Sequence, residues 1–339
     1  MIVMFLSVII PTRNRSSLLE KVIQSLILQT YPKENFEIII VDNGSTDGTK
    51  CVVESFKNDL SNLIYIYYPE LGLHVGRHAG LALSKGEILV YGDDDIEAFP
   101  TWLEGVAESF QDPAVALVGG NDLPRFESAP PEWVEQLWQV TPWGKTIGEY
   151  SLIDFGNDVK EIPPYYVYGC NFSIRKKILL MVGGFHPDSM PDDMLKYRGD
   201  GESAVSDVII TKKYRVIFNP KASVYHLVSA SRMTISYIHK RGYIQGISDS
   251  YSYIRKRGHQ NLINLLQAYY YFSKEICLLK IRKILKKIVS PNDFFILGHL
   301  EGYLYHQREV YYNREILEWT LKKDYFIDPL SDDSQFVRQ

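Results

Sequence analysis

The chain has 339 residues, 45% hydrophobic and 23% charged, with a formal net charge of −4. That is a globular balance, and it argues against a general nucleic-acid binder, which needs a basic excess. Cys51, Cys170 and Cys277 lie far apart with no C-x-x-C among them, which argues against a zinc site or a disulfide framework and fits a reducing compartment.

The opening "MIVMFLSVII" lacks a basic n-region and a small-residue cleavage site, so residues 5–10 read as a buried strand stopped by Pro11. No run reaches the ~18–20 apolar residues of a transmembrane helix, so a soluble or peripheral protein is expected. In "SSLLEKVIQSLILQT", Leu18, Leu19, Val22, Ile23, Leu26 and Ile27 recur at helical spacing, and Ser17 with Glu20 spells a capping box. "FEIIIVD" is a second strand and "STDGTKCVVESF" opens a second helix. "LIYIYY" is a third strand, "VGRHAGLALSKG" a short helix, and "EILVYG" a fourth strand that runs into Asp93, Asp94 and Asp95. "FPTWLEGVAESF" predicts a helix with Pro100 in its first turn, and "AVALVGG" a further strand. Residues 121–165 lose this rhythm. "YVYGCNFSI" alternates like a strand, "RKKILLMVGGF" and "GDGESAVSDVIITKKY" predict helices, and "RVIFNP" a strand.

Apolar strands alternating with helices predict an α/β fold: a mostly parallel sheet covered on both faces, with ligands at the carboxyl ends of its strands. Residues 11–15, 42–45 and 93–95 all fall at such ends and should share one crevice. Beyond about residue 233 the chain reads as helical to about 325, with 326–339 a disordered tail. Within 276–289, Cys277, Leu278, Ile281, Ile284, Leu285 and Ile288 make one stripe and Lys280, Arg282, Lys283, Lys286 and Lys287 the rest. Two readings stand there, a peripheral membrane contact or a packing helix with a solvated basic face.

Three adjacent carboxylates at a strand end repel one another unless a cation joins them. They suit Mg²⁺ or Mn²⁺ bridging to phosphate oxygens, against the alternative of a solvated acidic loop or helix cap. "PTRNR" and "VDNGSTDGT" supply groups fit for a base, a ribose and a diphosphate, and Arg77 lies near them in sequence. Neither G-x-x-x-x-G-K-[ST] nor G-x-G-x-x-G after the first strand is present, which disfavours those phosphate loops.

"SVIIPTRNRSSLLEKVIQSLILQTYPKENFEIIIVDNGSTDGT", "GRHAGLALSKGEILVYGDDDIEAFPTWLE" and "YGCNFSIRKKILLMVGGF" follow in the order of the family-2 glycosyltransferases of GT-A fold, which this chain resembles over about residues 5–230. The resemblance implies a catalytic domain over 1–232, with 121–165 an acceptor-side insertion, and a C-terminal helical region over 233–325. It implies metal-dependent transfer, with inversion, of a hexosyl-type group from a UDP-, GDP- or dTDP-sugar to a glycan or lipid-linked acceptor, in cell-surface polysaccharide assembly. The setting would be cytoplasmic, at or near the inner face of the membrane.

By the same resemblance Pro11, Thr12, Asn14, Arg15, Asp42 and Arg77 line the nucleotide pocket. Asp93 to Asp95 form the D-x-D element. Asp93 would face ribose or donor sugar and join Asp95 in ligating Mn²⁺ or Mg²⁺, and Asp94 would share either task. The metal would neutralise the diphosphate leaving group. Inversion needs a base for the acceptor proton. The family's Glu-Asp pair is missing here; counting back from "KKYRVIF" favours Glu202, with Asp200 as competitor, and the plain alternative for both is helix capping. His226 would complete the metal site or simply pack, and Arg232 would touch the diphosphate or lie on the surface. Trp133, Trp138 and Trp143 would wall the acceptor site or pin their loop to the body. The missing pair also leaves open a non-catalytic nucleotide- or sugar-binding module, and a retaining glycosyltransferase or nucleotidyltransferase on a related sheet stands as the other alternative.

Overall fold

The computed structural model describes residues 3–285 and 290–326 and the backbone of 337–338. Strands and helices alternate through β1 (Leu6–Thr12), α1 (Ser16–Ile27), β2 (Phe36–Asp42), α2 (Thr49–Ser55), β3 (Leu63–Tyr67), α3 (Leu73–Leu83) and β4 (Ile88–Gly92). Next come β5 (Ile96–Ala98), α4 (Trp102–Ser109), β6 (Val115–Gly119), β7 (Asp122–Phe126), β8 (Gln139–Thr141), β9 (Gly144–Ile147), β10 (Leu152–Asp154), β11 (Lys160–Glu161) and β12 (Asn171–Arg175). The chain continues with α5 (Lys176–Val182), α6 (Ser203–Thr211), β13 (Arg215–Phe218), β14 (Val224–Val228), α7 (Ile235–Arg257), α8 (Leu262–Ile284), α9 (Pro291–Tyr312), α10 (Arg314–Leu321) and β15 (Val337–Arg338).

The main sheet runs β11-β13-β6-β12-β4-β1-β2-β3-β15. Its centre, β4-β1-β2-β3, is parallel, as the uninterrupted apolar runs predict. β12 enters antiparallel between β4 and β6. Both faces are covered: Val8, Ile38 and Val90 pack under α1 and α4, while Ile9, Ile39 and Leu89 pack with Leu81 and Phe185. This is the GT-A-type arrangement with a helical C-terminal region that the sequence implies.

Three local expectations are corrected. The Ser17/Glu20 capping box does not form: α1 starts at Ser16, and the Ser16 amide is satisfied by Asp47 Oδ2 at 3.0 Å, a side chain from another loop. Pro100 precedes α4 rather than lying in its first turn. Residues 121–165 are not irregular throughout; β7 to β10 join β5 and β14 in a second sheet, β5-β14-β7-β10-β9-β8. Short strands broken by turns show too little period-2 pattern to be read from sequence.

In the C-terminal region α7 and α9 run side by side in the same direction, and α8 is the return between them. Glycines make the contact: a Cβ at Gly242 would stand 2.0 Å from the Phe295 carbonyl oxygen, and one at Gly246 1.9 Å from that of His299. Gly298 and Gly302 answer from α9 against His239 and Tyr243. The backbones touch, and the polar layer of Ser250, His306 and Gln307 seals the seam. Among the described residues no helix is long and apolar enough to cross a membrane. Residues 327–336 and 339 lie outside the described residues, and the expectation of disorder there lies outside with them; Val337–Arg338 pair antiparallel with β3.

Candidate active site

Parallel pairing sets Thr12 opposite Asp42 at the ends of β1 and β2, and β4 delivers Asp93 to Asp95 beside them. The three carboxylates diverge to different partners. Asp94 accepts from the Thr12 hydroxyl at 2.7 Å and pairs with Arg15. Burial pushes its carboxyl up to about 6, with Arg15 opposing. Asp95 Oδ1 lies 3.3 Å from His226 Nε2, and its Oδ2 lies 3.2 Å from Arg15 and 3.7 Å from Arg232. Burial alone would raise Asp95, but the His226 ring and the two arginines hold it well below the usual carboxylate range. β14 pairs with β5, setting His226 across from Ile96, and that register brings the imidazole to Asp95.

Asp93 turns the other way, 3.4 Å from Arg77 Nη2. Arg77, 2% exposed, is the hub of the floor. Its Nη2 donates to the Gly169 carbonyl at 3.1 Å, its Nη1 lies 3.7 Å from Glu202 Oε2, and its guanidinium covers the Phe185 ring. Gly169 leaves the room; a Cβ there would stand 2.4 Å from Arg77 Nη2. A cation so deeply buried persists only because carboxylates and a carbonyl surround it. Glu202, at the N-terminus of α6, also accepts from the Gly169 amide at 3.1 Å. Burial raises its carboxyl, with Arg77 pulling the other way.

Three connected hollows surround this floor. One of about 330 Å³ is lined by Pro11, Thr12, Arg15, Asn43, Asp93 and Asp94. The central one, about 300 Å³, holds Arg77, Asp93, Asp95, Glu202, His226 and Arg232. The third, about 410 Å³, lies between the second sheet and the C-terminal helices, with Tyr165, Tyr166 and Tyr168 facing Arg241 and Gln245 of α7 and Phe295 of α9. Glu202 lines both the central and the third hollow.

Other expected site residues lie elsewhere or are already engaged. Asn14, at φ 54°, uses its side chain to accept from the Thr46 amide and lines none of the three hollows. Asp42 is buried, its oxygens accepting from the Ser45 amide and the Tyr65 hydroxyl, each at 2.7 Å. Asp200 lines the central hollow, but it is held by His186 at 2.6 Å and Ser252 at 2.5 Å. Trp133 and Trp138 pack on the cluster around Tyr150 and Leu152, and Trp143 lies against Tyr166. None of the three tryptophans lines the third hollow; tyrosines do.

Sequence reasoning missed Asp188 and Arg198, a half-buried ion pair at 2.5 Å on the wall of the central hollow. "FHPDSM" carries no spacing that flags the aspartate. It also missed Arg241 and Gln245, whose place on α7 offers no motif.

Among the described residues, no three His, Cys, Asp or Glu side chains converge to hold a metal ion unaided. Asp95 Oδ1 is nevertheless buried with no hydrogen bond of good geometry. An oxygen and an imidazole at 3.3 Å fit a divalent cation whose remaining ligands are phosphate oxygens and water, the usual pattern for Mg²⁺ with a nucleotide.

Residues 7–181 match the model of the family described as Glycosyl transferase family 2. Glycosyltransferase AglE of Haloferax volcanii is 39% identical over 176 residues, 49% of this chain and 58% of that protein. A glucosyl-dolichyl phosphate glucuronosyltransferase of the same organism is 25% identical over 235 residues, 67% of this chain and 69% of that protein. The chain spans about half the length of several curated relatives it matches. The fold is similar to that of the mannosyltransferase PcManGT from Pyrobaculum calidifontis in complex with GDP-Man and Mn²⁺, at TM-score 0.50 and 20% identity, over 93% of this chain and 71% of the other. With just over half of the chain matched by the family model and the strand ends arranged as above, this chain belongs to glycosyl transferase family 2.

Proposed function

We propose that the chain transfers a sugar, with inversion, from a nucleoside-diphosphate sugar to a hydroxyl of a glycan or lipid-linked acceptor, with Glu202 as general base. The observation that carries this is the position of Glu202. Its carboxylate lies where the central and third hollows meet, with Arg77 linking it to Asp93. An acceptor hydroxyl entering from the third hollow reaches Glu202 before it reaches the aspartates. Burial lifts the carboxyl's proton affinity, which suits a group that must take a proton near neutral pH. Asp200 is the weaker candidate, because both its oxygens already accept hydrogen bonds.

The nucleoside belongs in the hollow lined by Pro11, Thr12 and Arg15. Arg15 and Arg232, both turned to Asp95, are placed to hold phosphate oxygens. Asp95 and His226, with Asp93 nearby, would hold Mn²⁺ or Mg²⁺, which when bound supplies charge neutralisation for the diphosphate leaving group. Asp94 keeps Arg15 and Thr12 in position. The relative whose name carries dolichyl phosphate supports a lipid-linked acceptor. Thermal-shift screening of UDP-, GDP- and dTDP-sugars with and without Mn²⁺ tests the donor half: one donor should raise the midpoint in a Mn²⁺-dependent way. If none does so in wild type, or if Asp95→Asn keeps the full Mn²⁺-dependent shift, the assignment fails.

A further inference from the structure

Helix α8 shows an apolar face to solvent. At 100° per residue its packed side, with Leu265, Phe272 and Leu279, lies against α9. The opposite side carries Ile263, Leu266, Tyr270, Cys277, Ile281 and Ile284 in one line along the helix. Ile263 is 66% exposed, Tyr270 81% and Ile284 77%. A soluble helix inverts this pattern, placing its polar residues outward. The charges on α8 are lopsided too: Lys274, Lys280, Arg282 and Lys283 against Glu275 alone. Lys280 and Arg282 reach back to Glu301 and Asp293 of α9. Among the described residues, Lys274 and Lys283 have no carboxylate partner.

The two ends of α8 differ in their neighbours. Its last turn meets the first turn of α9, through Arg282–Asp293 at 3.5 Å and Lys283 over the Phe294 ring. The next residue, Phe295, lines the third hollow. The exposed apolar, basic end of α8 therefore sits beside the hollow assigned to the acceptor.

We propose that the outer face of α8 docks on an anionic lipid surface, seating its isoleucines among the acyl chains and its lysines at the phosphates, with the acceptor hollow beside the bilayer. The lipid docking stands on α8 alone, while the placement of an acceptor rests on the function proposed above. Lipid fits better than a second copy of the chain: Lys274 borders the apolar line and Lys283, at the exposed last turn, is held by no carboxylate among the described residues, both with stems long enough to reach headgroups, and Tyr270, an amphipathic ring suited to an interface, stands 81% exposed within the line.

The test is sedimentation of the full chain with sucrose-loaded vesicles, without donor. Vesicles of phosphatidylcholine with phosphatidylglycerol should pull the protein down; pure phosphatidylcholine should bind it at least tenfold less. Each basic residue near such a surface contributes roughly fivefold, so Lys274→Glu with Lys283→Glu should cut partitioning by more than tenfold. Ile281→Glu with Ile284→Glu, at positions exposed enough to leave the fold intact, should abolish it. Protein that stays in the supernatant with anionic vesicles overturns the proposal. So does a wild-type dimer that becomes a monomer in the isoleucine variant, since a second copy would then be the occupant. Donor-induced thermal shifts, read without vesicles, report separately on the proposed function.

Discussion

Arg77 and Glu202 face each other at 3.7 Å across the floor of the central hollow, the arginine sealed from solvent and the glutamate open to the third hollow. The guanidinium keeps a carboxylate available at a depth where burial alone would favour the acid. Glu202→Gln preserves shape and removes the group proposed as the base. We expect kcat to fall by roughly 10²–10⁴-fold, with donor affinity within about threefold of wild type. Single-turnover rates beside donor titration check this. Asp200→Asn should behave differently, losing stability through His186 and Ser252 rather than losing the chemical step alone.

Arg77→Met leaves Asp93 and Glu202 without their shared cation. Removing one partner from a buried pair costs about 3–5 kcal/mol, so the urea midpoint should drop sharply. Arg77→Lys should recover only part of it, because a single ammonium cannot span Asp93, Gly169 and Glu202 as the fork does. Equal stability of wild type and Arg77→Met would refute the hub.

Gly246→Val inserts a branched side chain where 1.9 Å separates even a Cβ from the His299 carbonyl. Overpacking of this kind typically costs about 1–3 kcal/mol. The thermal midpoint should fall while far-UV circular dichroism changes little, since both helices persist with their spacing forced open.

His306 is buried between α7 and α9, and desolvation alone pushes its pKa down to about 3. In the unfolded chain the same ring titrates near 6.5. Between those values the unfolded state binds the extra proton, so stability from this residue is complete above about pH 6.5 and is lost as pH falls. Asp122, raised by burial to about 7, has the opposite sign over the same range, so the comparison must be made by variant. The cost of His306→Gln should shrink by about 2 kcal/mol between pH 7.5 and pH 5. Urea titrations at the two pH values measure it, and a pH-independent cost would sink the assignment.

Much of the frame was legible because its strands are buried on both faces. "FEIIIVD" and "EILVYG" can hardly be anything else, and the carboxylates that end them follow from the topology. The nearness of Asp95 to His226 was open to sequence only through the family resemblance, since a β5–β14 register separates them from anything local. Arg77 was expected from sequence in the nucleotide pocket and lies instead in the central hollow; its link to Glu202 spans 125 positions and depends on the room left by Gly169. The second sheet was hidden by strands three to five residues long. Asp188 and Arg198 were invisible because an isolated ion pair has no spacing rule. The parallel seam did leave a trace, G-x-x-x-G at 242–246 and again at 298–302, of a kind usually sought only in membrane helices.

Glycine set against carbonyl leaves that seam no rotamers with which to absorb a displacement. α7 and α9 therefore act as one stiff beam, with Arg241 and Phe295 mounted on it. The spacing of those two side chains across the third hollow is therefore set by the seam itself.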